Sequence, residues 1–302
     1  MRWIVGPGDG RTVGEVLAVA RADARAVPEG RVFVGLRRVR RDDERVEDGD
    51  VVDVAPPVAP TGQARILFQT DALVAVDKPA GVPTIPDHAG AFHALLAQTA
   101  RALGVPDDDL HPTSRLDRDV SGVVLFARSQ AEARRLAQAR VDGSYARRYV
   151  AVAMASPSPP SGTWDEPIGR ARDPLLRAVG GRDPVDAKTR YAVRAVVASG
   201  AALVALAPET GRTHQIRVHA AHAGSPLIGD GAYGGPKRLV LPGGRVLEPR
   251  RIALHAARVA VPDARGGSIV VESRVPEGLV ALWSSLGGDT AVWEEAVACA
   301  LP

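Results

Sequence analysis

Val13, Val16, Leu17 and Val19 fall at helical spacing and predict a helix within residues 12–25. Short apolar runs at 31–36 and 51–54 read as strands. Residues 55–62 hold three prolines and a glycine and read as a linker. Beyond it, 66–68 and 73–76 predict strands, and Asp77-Lys78-Pro79-Ala80-Gly81 a turn. The unbroken apolar run 122–127 is the pattern of a strand buried on both faces. Ser129 and Glu132 make a capping box ahead of the helical pattern 133–140, and 149–154 is the next strand. The Pro/Ser-rich stretch 156–160 and the Arg/Gly/Asp-rich stretch 169–184 read as exposed loops. Two strands at 189–197 and 202–207 precede a helical segment that starts at Thr213 and stops at Gly224. Strands interleaved with few helices point to an α/β (α+β) fold with a mixed sheet, not a regular βαβ series. No internal repeat is present.

Composition narrows the class. The chain has 302 residues, 45% apolar and 24% charged, enough for a sizeable core without disulfides. Its single cysteine, Cys299, excludes a disulfide framework and a cysteine-ligated metal site. No apolar run reaches the ~18 residues of a spanning helix, and the N-terminus lacks a signal-peptide pattern, so a cytoplasmic protein is expected. Net charge is +3, yet residues 111–150 alone hold 8 Arg and 4 acidic residues. Such a local excess suits a phosphate backbone, although a solvated surface fits it too.

Several chemistries are excluded. Thr210-Gly211-Arg212-Thr213 lacks the Lys and the upstream Gly of a phosphate loop. A Gly-x-Ser-x-Gly hydrolase elbow is absent. His214, His219 and His222 do not follow a zinc-binding spacing and read as polar helix-face side chains. The positive signal is Ser114-Arg115-Leu116-Asp117-Arg118-Asp119-Val120-Ser121-Gly122. Two carboxylates bracketed by arginines sit where a loop enters a buried strand, which gives them a rigid base. A neighbouring guanidinium favours the ionised form that a nucleophile needs. An Arg/Asp ladder on the surface fits the same spacing.

The stretch 115–122 resembles the catalytic motif of RluA-type pseudouridine synthases. Four further segments agree in order: Asp77-Lys78-Pro79-Ala80-Gly81, Arg147-Arg148-Tyr149-Val150-Ala151, residues 210–219, and Gly229-Asp230 with Tyr233-Gly234. The resemblance covers residues 64–282. It implies a largely antiparallel central sheet of the pseudouridine synthase type with flanking helices, as a catalytic domain over 64–302. Residues 1–57 resemble a degenerate form of the small α+β RNA-binding module that often precedes such a domain, with a linker at 58–63.

By this resemblance Asp117 is the nucleophile of an isomerase that converts uridine to pseudouridine in structured RNA. Arg115 fills the gap left by the everted nucleotide, Arg212 pairs with Asp117, Tyr149 faces the uracil, and Ile216 packs beside the base. Lys188 approaches the site or is a surface lysine, and Lys78 orders its turn. No metal or cofactor is implied, and a monomer acting on ribosomal RNA, or next on transfer RNA, is expected. Ser114, Val120 and Arg147 stand where the family usually has His, Thr and Lys. Two alternatives stay open: a catalytically impaired RNA-binding homologue, and a hydrolase using Asp117 and Asp119 as paired carboxylates.

Overall fold

The computed structural model describes residues 1–56, 62–87, 90–241 and 244–298. Most of the expected linker 58–63 lies outside the described residues, as does Cys299. The chain divides into two compact units, Met1–Ala64 with Val82–Leu110, and Arg65–Gly81 with His111–Pro302.

In the first unit, β1 (Arg2–Ile4), β2 (Val32–Val34), β3 (Arg37–Arg38) and β4 (Val51–Val54) form an antiparallel sheet in the order β1-β4-β2-β3. Helix α1 (Val13–Val19) opens on a reciprocal capping box, with Thr12 accepting from Glu15 and Glu15 from Thr12. It is shorter than the apolar pattern predicts, because the chain turns at Arg21, whose φ is +50°. Val13, Val16 and Leu17 pack with Val32 and Val52 as the core of this unit. The segment 82–110 belongs here as well. Ala91 N–H donates to the Glu29 carbonyl at 2.9 Å, and α2 (Leu95–Leu103) ends on left-handed Gly104. The boundaries expected at 57 and 64 had assigned that segment to the catalytic domain.

The second unit is built on a ten-stranded sheet. Its strands are β5 (Arg65–Gln69), β6 (Leu73–Lys78), β7 (His111–Pro112), β8 (Ser121–Ala127), β9 (Ala146–Ala153) and β10 (Ser161–Trp164), then β14 (Thr189–Val196), β15 (Ala202–Pro208), β18 (Leu254–Pro262) and β19 (Ser268–Glu272). The order is β10-β14-β15-β9-β18-β8-β6-β5, with β19 on β18 and β7 on β8. All pairs are antiparallel except β18 with β8. The fold is therefore α+β with a mixed, largely antiparallel sheet, as expected. All seven residues of β8 are buried, which explains its unbroken apolar run.

Helix α3 (Gln130–Val141) is capped by Ser129, but the Glu132 carboxylate binds Arg135 instead of closing the box. One sheet face packs Leu73, Leu125, Leu136 and Val259 together. Another cluster seats α5 (Glu277–Ser285) and α6 (Val292–Ala298) through Leu279, Trp283 and Trp293 against Val150, Val152 and Leu203. The expected loop 169–184 instead contains strands: β11 (Ile168–Arg170), β12 (Arg177–Val179) and β13 (Arg182–Val185) form a small antiparallel sheet. A further pair, β16 (Leu239–Val240) with β17 (Val246–Leu247), lies between the short helix α4 (Gln215–His222) and β18.

Two glycines fix close approaches. At Gly122 (φ +119°) an added Cβ would stand 2.1 Å from the Ala256 carbonyl oxygen, so β8 and β18 meet only because position 122 has no side chain. At Gly229 (φ +83°) it would stand 2.0 Å from the Arg251 carbonyl oxygen, directly before Asp230.

Candidate active site

Asp117 lies in the loop between β7 and β8, four residues ahead of the buried strand. Its loop is held from below. The Arg118 carbonyl accepts from Gly81 N–H at 2.8 Å and from Lys78 Nζ at 2.9 Å, and Val120 N–H closes a turn on the Asp117 carbonyl at 3.1 Å. Lys78, read from sequence as ordering its own turn, is fully buried and holds the Asp117 loop as well. Burial, with Arg251 nearby, pulls its ammonium down to about 7, against the opposing influence of Asp117 and Asp119.

The cation on Asp117 is Arg217 of α4, not Arg212. Arg217 Nη1 donates to Asp117 Oδ2 at 2.8 Å, while its Nε and Nη2 make a bidentate pair with Asp230 at 2.7 Å each. Burial works against the Arg217 charge, but the hydrogen bonds and charges of Asp230 and Asp117 outweigh it and leave its pKa above the ordinary value. Arg212 lies outside: its Nε donates to the Asp186 carbonyl at 2.8 Å, and it makes no ion pair with Asp117. Together with Arg170, Arg177 and Thr213 it lines a cavity of about 230 Å³.

Tyr149 belongs to a row of residues crossing the sheet: Gly122 of β8 is opposite Ala256 of β18, which is opposite Tyr149 of β9. Its side chain is buried, and its hydroxyl has no hydrogen-bond partner among the described residues. Burial raises its pKa and the Asp117 charge adds to the rise, so it stays a neutral phenol. Ile216 is buried beside Arg217 on α4. Arg115 is exposed and makes no hydrogen bond or ion pair among the described residues.

Helix α4 is seated by Gln215, which the sequence left unassigned, and by His219. Gln215 accepts from Thr210 Oγ1 and Arg212 N–H, and donates to the Lys188 carbonyl and Thr189 Oγ1. His219 is buried between Thr189 and the Glu166 carbonyl, so it is a structural histidine rather than a polar face. Lys188 itself points to Glu209 at 3.1 Å. His214 Nδ1 lies 2.7 Å from the Tyr233 hydroxyl and its Nε2 3.9 Å from Asp117 Oδ1. Arg217, His214 and Tyr233 are thus site residues that sequence reading missed. The available signal was an Arg set between Ile216 and Val218, since a guanidinium that is buried with such neighbours requires acidic partners.

A second buried network stands behind the strand. Arg251 donates to Ser121 Oγ at 2.7 Å, Ser121 bonds His255 Nδ1 at 2.7 Å, and His255 Nε2 donates to the Ser273 carbonyl at 3.2 Å. Burial pushes His255 down to about 4.

Residues 72–222 match the family model described as RNA pseudouridylate synthase. The chain is 36% identical over 269 residues to ribosomal large subunit pseudouridine synthase D of Xanthomonas campestris pv. campestris, a match covering 84% of this chain and 79% of that protein. It is 30% identical over 208 residues to the dual-specificity RNA pseudouridine synthase RluA of Salmonella typhi, covering 67% of this chain and 89% of that one. Among solved structures it resembles human RNA pseudouridylate synthase domain containing 4, with a TM-score of 0.60, 25% identity, and coverage of 74% of this chain and 92% of that chain.

Proposed function

The chain belongs to the RNA pseudouridylate synthase family, of the RluA type, and on that premise we propose that Asp117 opens the glycosidic bond of a uridine everted from ribosomal RNA. Family membership makes the protein an isomerase acting on RNA uridines, so the hydrolase alternative falls away. Ribosomal RNA is the proposed target because a relative covering most of the chain is named for the large ribosomal subunit.

The reaction is balanced within one nucleotide. The N1–C1′ bond breaks, the base turns, the C5–C1′ bond forms, C5 loses its proton and N1 gains one. Eversion from the stack costs a few kcal/mol, recovered in contacts made by the bound nucleotide. The observation that carries the reading is the Asp117–Arg217 pair. Arg217 occupies Oδ2, while Oδ1 has no donor within hydrogen-bond length among the described residues, on a side chain that is 26% exposed. That leaves a charged, fixed carboxylate with one oxygen open to substrate.

The other residues have parts that suit their positions. Tyr149, a buried neutral phenol, offers its ring to the uracil and its hydroxyl to the proton leaving C5. Ile216 packs beside the base. Arg115, unengaged on the loop, enters the gap in the stack, where a planar cation both stacks and pairs with phosphate. Arg212 and Arg177, at the cavity beside α4, take backbone phosphate. This chemistry needs no cofactor. Residues 1–57 act as an accessory RNA contact, and the enzyme works as a cytoplasmic monomer. No helix among the described residues is long and apolar enough to cross a membrane.

Release of tritium from RNA labelled at uridine C5 tests the proposal. The wild type is expected to release tritium and Asp117→Asn to release none. Full turnover by Asp117→Asn would refute the assignment. Salt-sensitive RNA binding by the wild type with no release would favour the impaired homologue.

A further inference from the structure

His214 is a point of backbone strain within the site. It precedes α4 at φ +59°, in the left-handed region that a residue with a side chain enters only at a cost. The turn places its half-buried imidazole between two site groups. Nδ1 faces the Tyr233 hydroxyl at 2.7 Å, and Nε2 faces Asp117 Oδ1 at 3.9 Å.

The hydrogen bonds around Tyr233 bear on the tautomer. The Tyr233 oxygen already accepts the Arg177 backbone N–H at 3.0 Å. A phenol has one proton, and the acceptor within reach of it among the described residues is His214 Nδ1. With Tyr233 as the donor, Nδ1 accepts, and the proton of the neutral ring sits on Nε2, on the side of Asp117. Burial is the largest influence holding the imidazole neutral. Arg217 and Arg177 act in the same direction, and Asp117 and Asp230 oppose them. Arg217 already supplies the positive charge at this carboxylate.

We propose that His214 is a positioning residue for Asp117: Tyr233 locks its ring as the Nε2–H tautomer, and that N–H dipole draws Oδ1 to its side while Arg217 holds Oδ2. The two donors together set the rotation of the carboxylate about its Cβ–Cγ bond, and so the direction in which the open oxygen faces a bound nucleoside. The inference rests on Asp117 being the reacting group.

The test combines a spectroscopic and a kinetic reading. In histidine-labelled wild-type protein at neutral pH, nitrogen–proton correlation spectra are expected to show His214 as the Nε2–H tautomer. In Tyr233→Phe that preference is expected to weaken. A His214 found as Nδ1–H, or a tautomer unmoved by Tyr233→Phe, overturns the proposal, and neither reading requires turnover. Failure of Asp117 as nucleophile is therefore seen separately, in the Asp117→Asn assay.

Asn tolerates the left-handed backbone and keeps an acceptor toward Tyr233, whereas Gln restores a donor near the Nε2 position. His214→Asn is expected to lower kcat by about 10- to 100-fold, with KM for RNA changed by less than about threefold. His214→Gln is expected to recover most of that loss. Tyr233→Phe combined with His214→Asn should cost little more than His214→Asn alone, because the two act as one unit. Equal losses in the Asn and Gln variants, or additive losses in the double variant, refute it.

Discussion

Asp117 and Arg217 are 100 residues apart in the chain and 2.8 Å apart in the fold. The contact joins the loop ahead of β8 to helix α4, and a third residue sets its geometry. Arg217 commits two nitrogens to Asp230, which is 1% exposed, and only the remaining one to Asp117. The guanidinium is therefore aimed before any substrate arrives, as electrostatic preorganisation requires.

The two ends of this chain of charges differ in burial, so they differ in what their loss costs. Arg217→Gln leaves Asp230 buried and unpaired and is expected to destabilise the fold by about 3–5 kcal/mol. Asp117→Asn, at a partly exposed position, should cost less than about 1 kcal/mol. Both should abolish tritium release. Urea unfolding followed by circular dichroism separates them: equal midpoints would show that Asp230 does not depend on Arg217.

Arg212 belongs to the cavity wall, not to the carboxylate. Arg212→Gln is expected to weaken RNA binding and to reduce the slope of log affinity against log salt by about 0.7–0.9 for one lost phosphate contact. Its kcat at saturating RNA should stay within a few-fold of the wild type. A large loss of kcat with an unchanged slope would return Arg212 to the reacting centre.

Acid should weaken the fold through His255. Its folded pKa of about 4 lies below the unfolded value of ~6.5, so the unfolded chain takes up the proton first as pH falls. The stability involved is fully present above ~6.5 and is lost down to about 4, roughly 3 kcal/mol in all. Thermal melts of the wild type and His255→Gln across this window measure it. The variant is expected to show the shallower dependence.

Lys78 couples stability and activity in opposite senses. Its folded pKa of about 7 is well below the ordinary lysine value, so the charged form is disfavoured in the fold at and below neutral pH. Lys78→Met is therefore expected to melt no lower than the wild type at pH 6. Its kcat should still fall by more than about tenfold, because the Arg118 carbonyl loses a donor and the Asp117 loop loosens. A Met variant of normal kcat would separate Lys78 from the loop.

Local signals carried far along this chain. Ser129 announced its helix because a cap is a short-range hydrogen bond, and β8 was legible because burial on both faces erases alternation. The small sheet β11–β13 was hidden, since Arg170, Arg177, Arg182 and Asp183 give it the composition of a loop. Within the site, the loop bearing Asp117 could be read from adjacent residues. Its partner could not, because Arg212 and Arg217 are equally basic on paper. Only the fold turns one toward Asp230 and the other toward the Asp186 carbonyl. His214 was obscured by its backbone, as nothing in the letters around it signals a left-handed turn.

The missing methyl at Gly122 also limits how the enzyme can be re-engineered. The parallel seam between β8 and β18 works as a spacer whose width leaves no room for even a methyl group at position 122. A wider chamber, for a bulkier or altered base, cannot be obtained by prying those strands apart without undoing the row that carries Tyr149. Room for new substrates has to come from trimming side chains above the seam, and a mutagenesis library is best spent there.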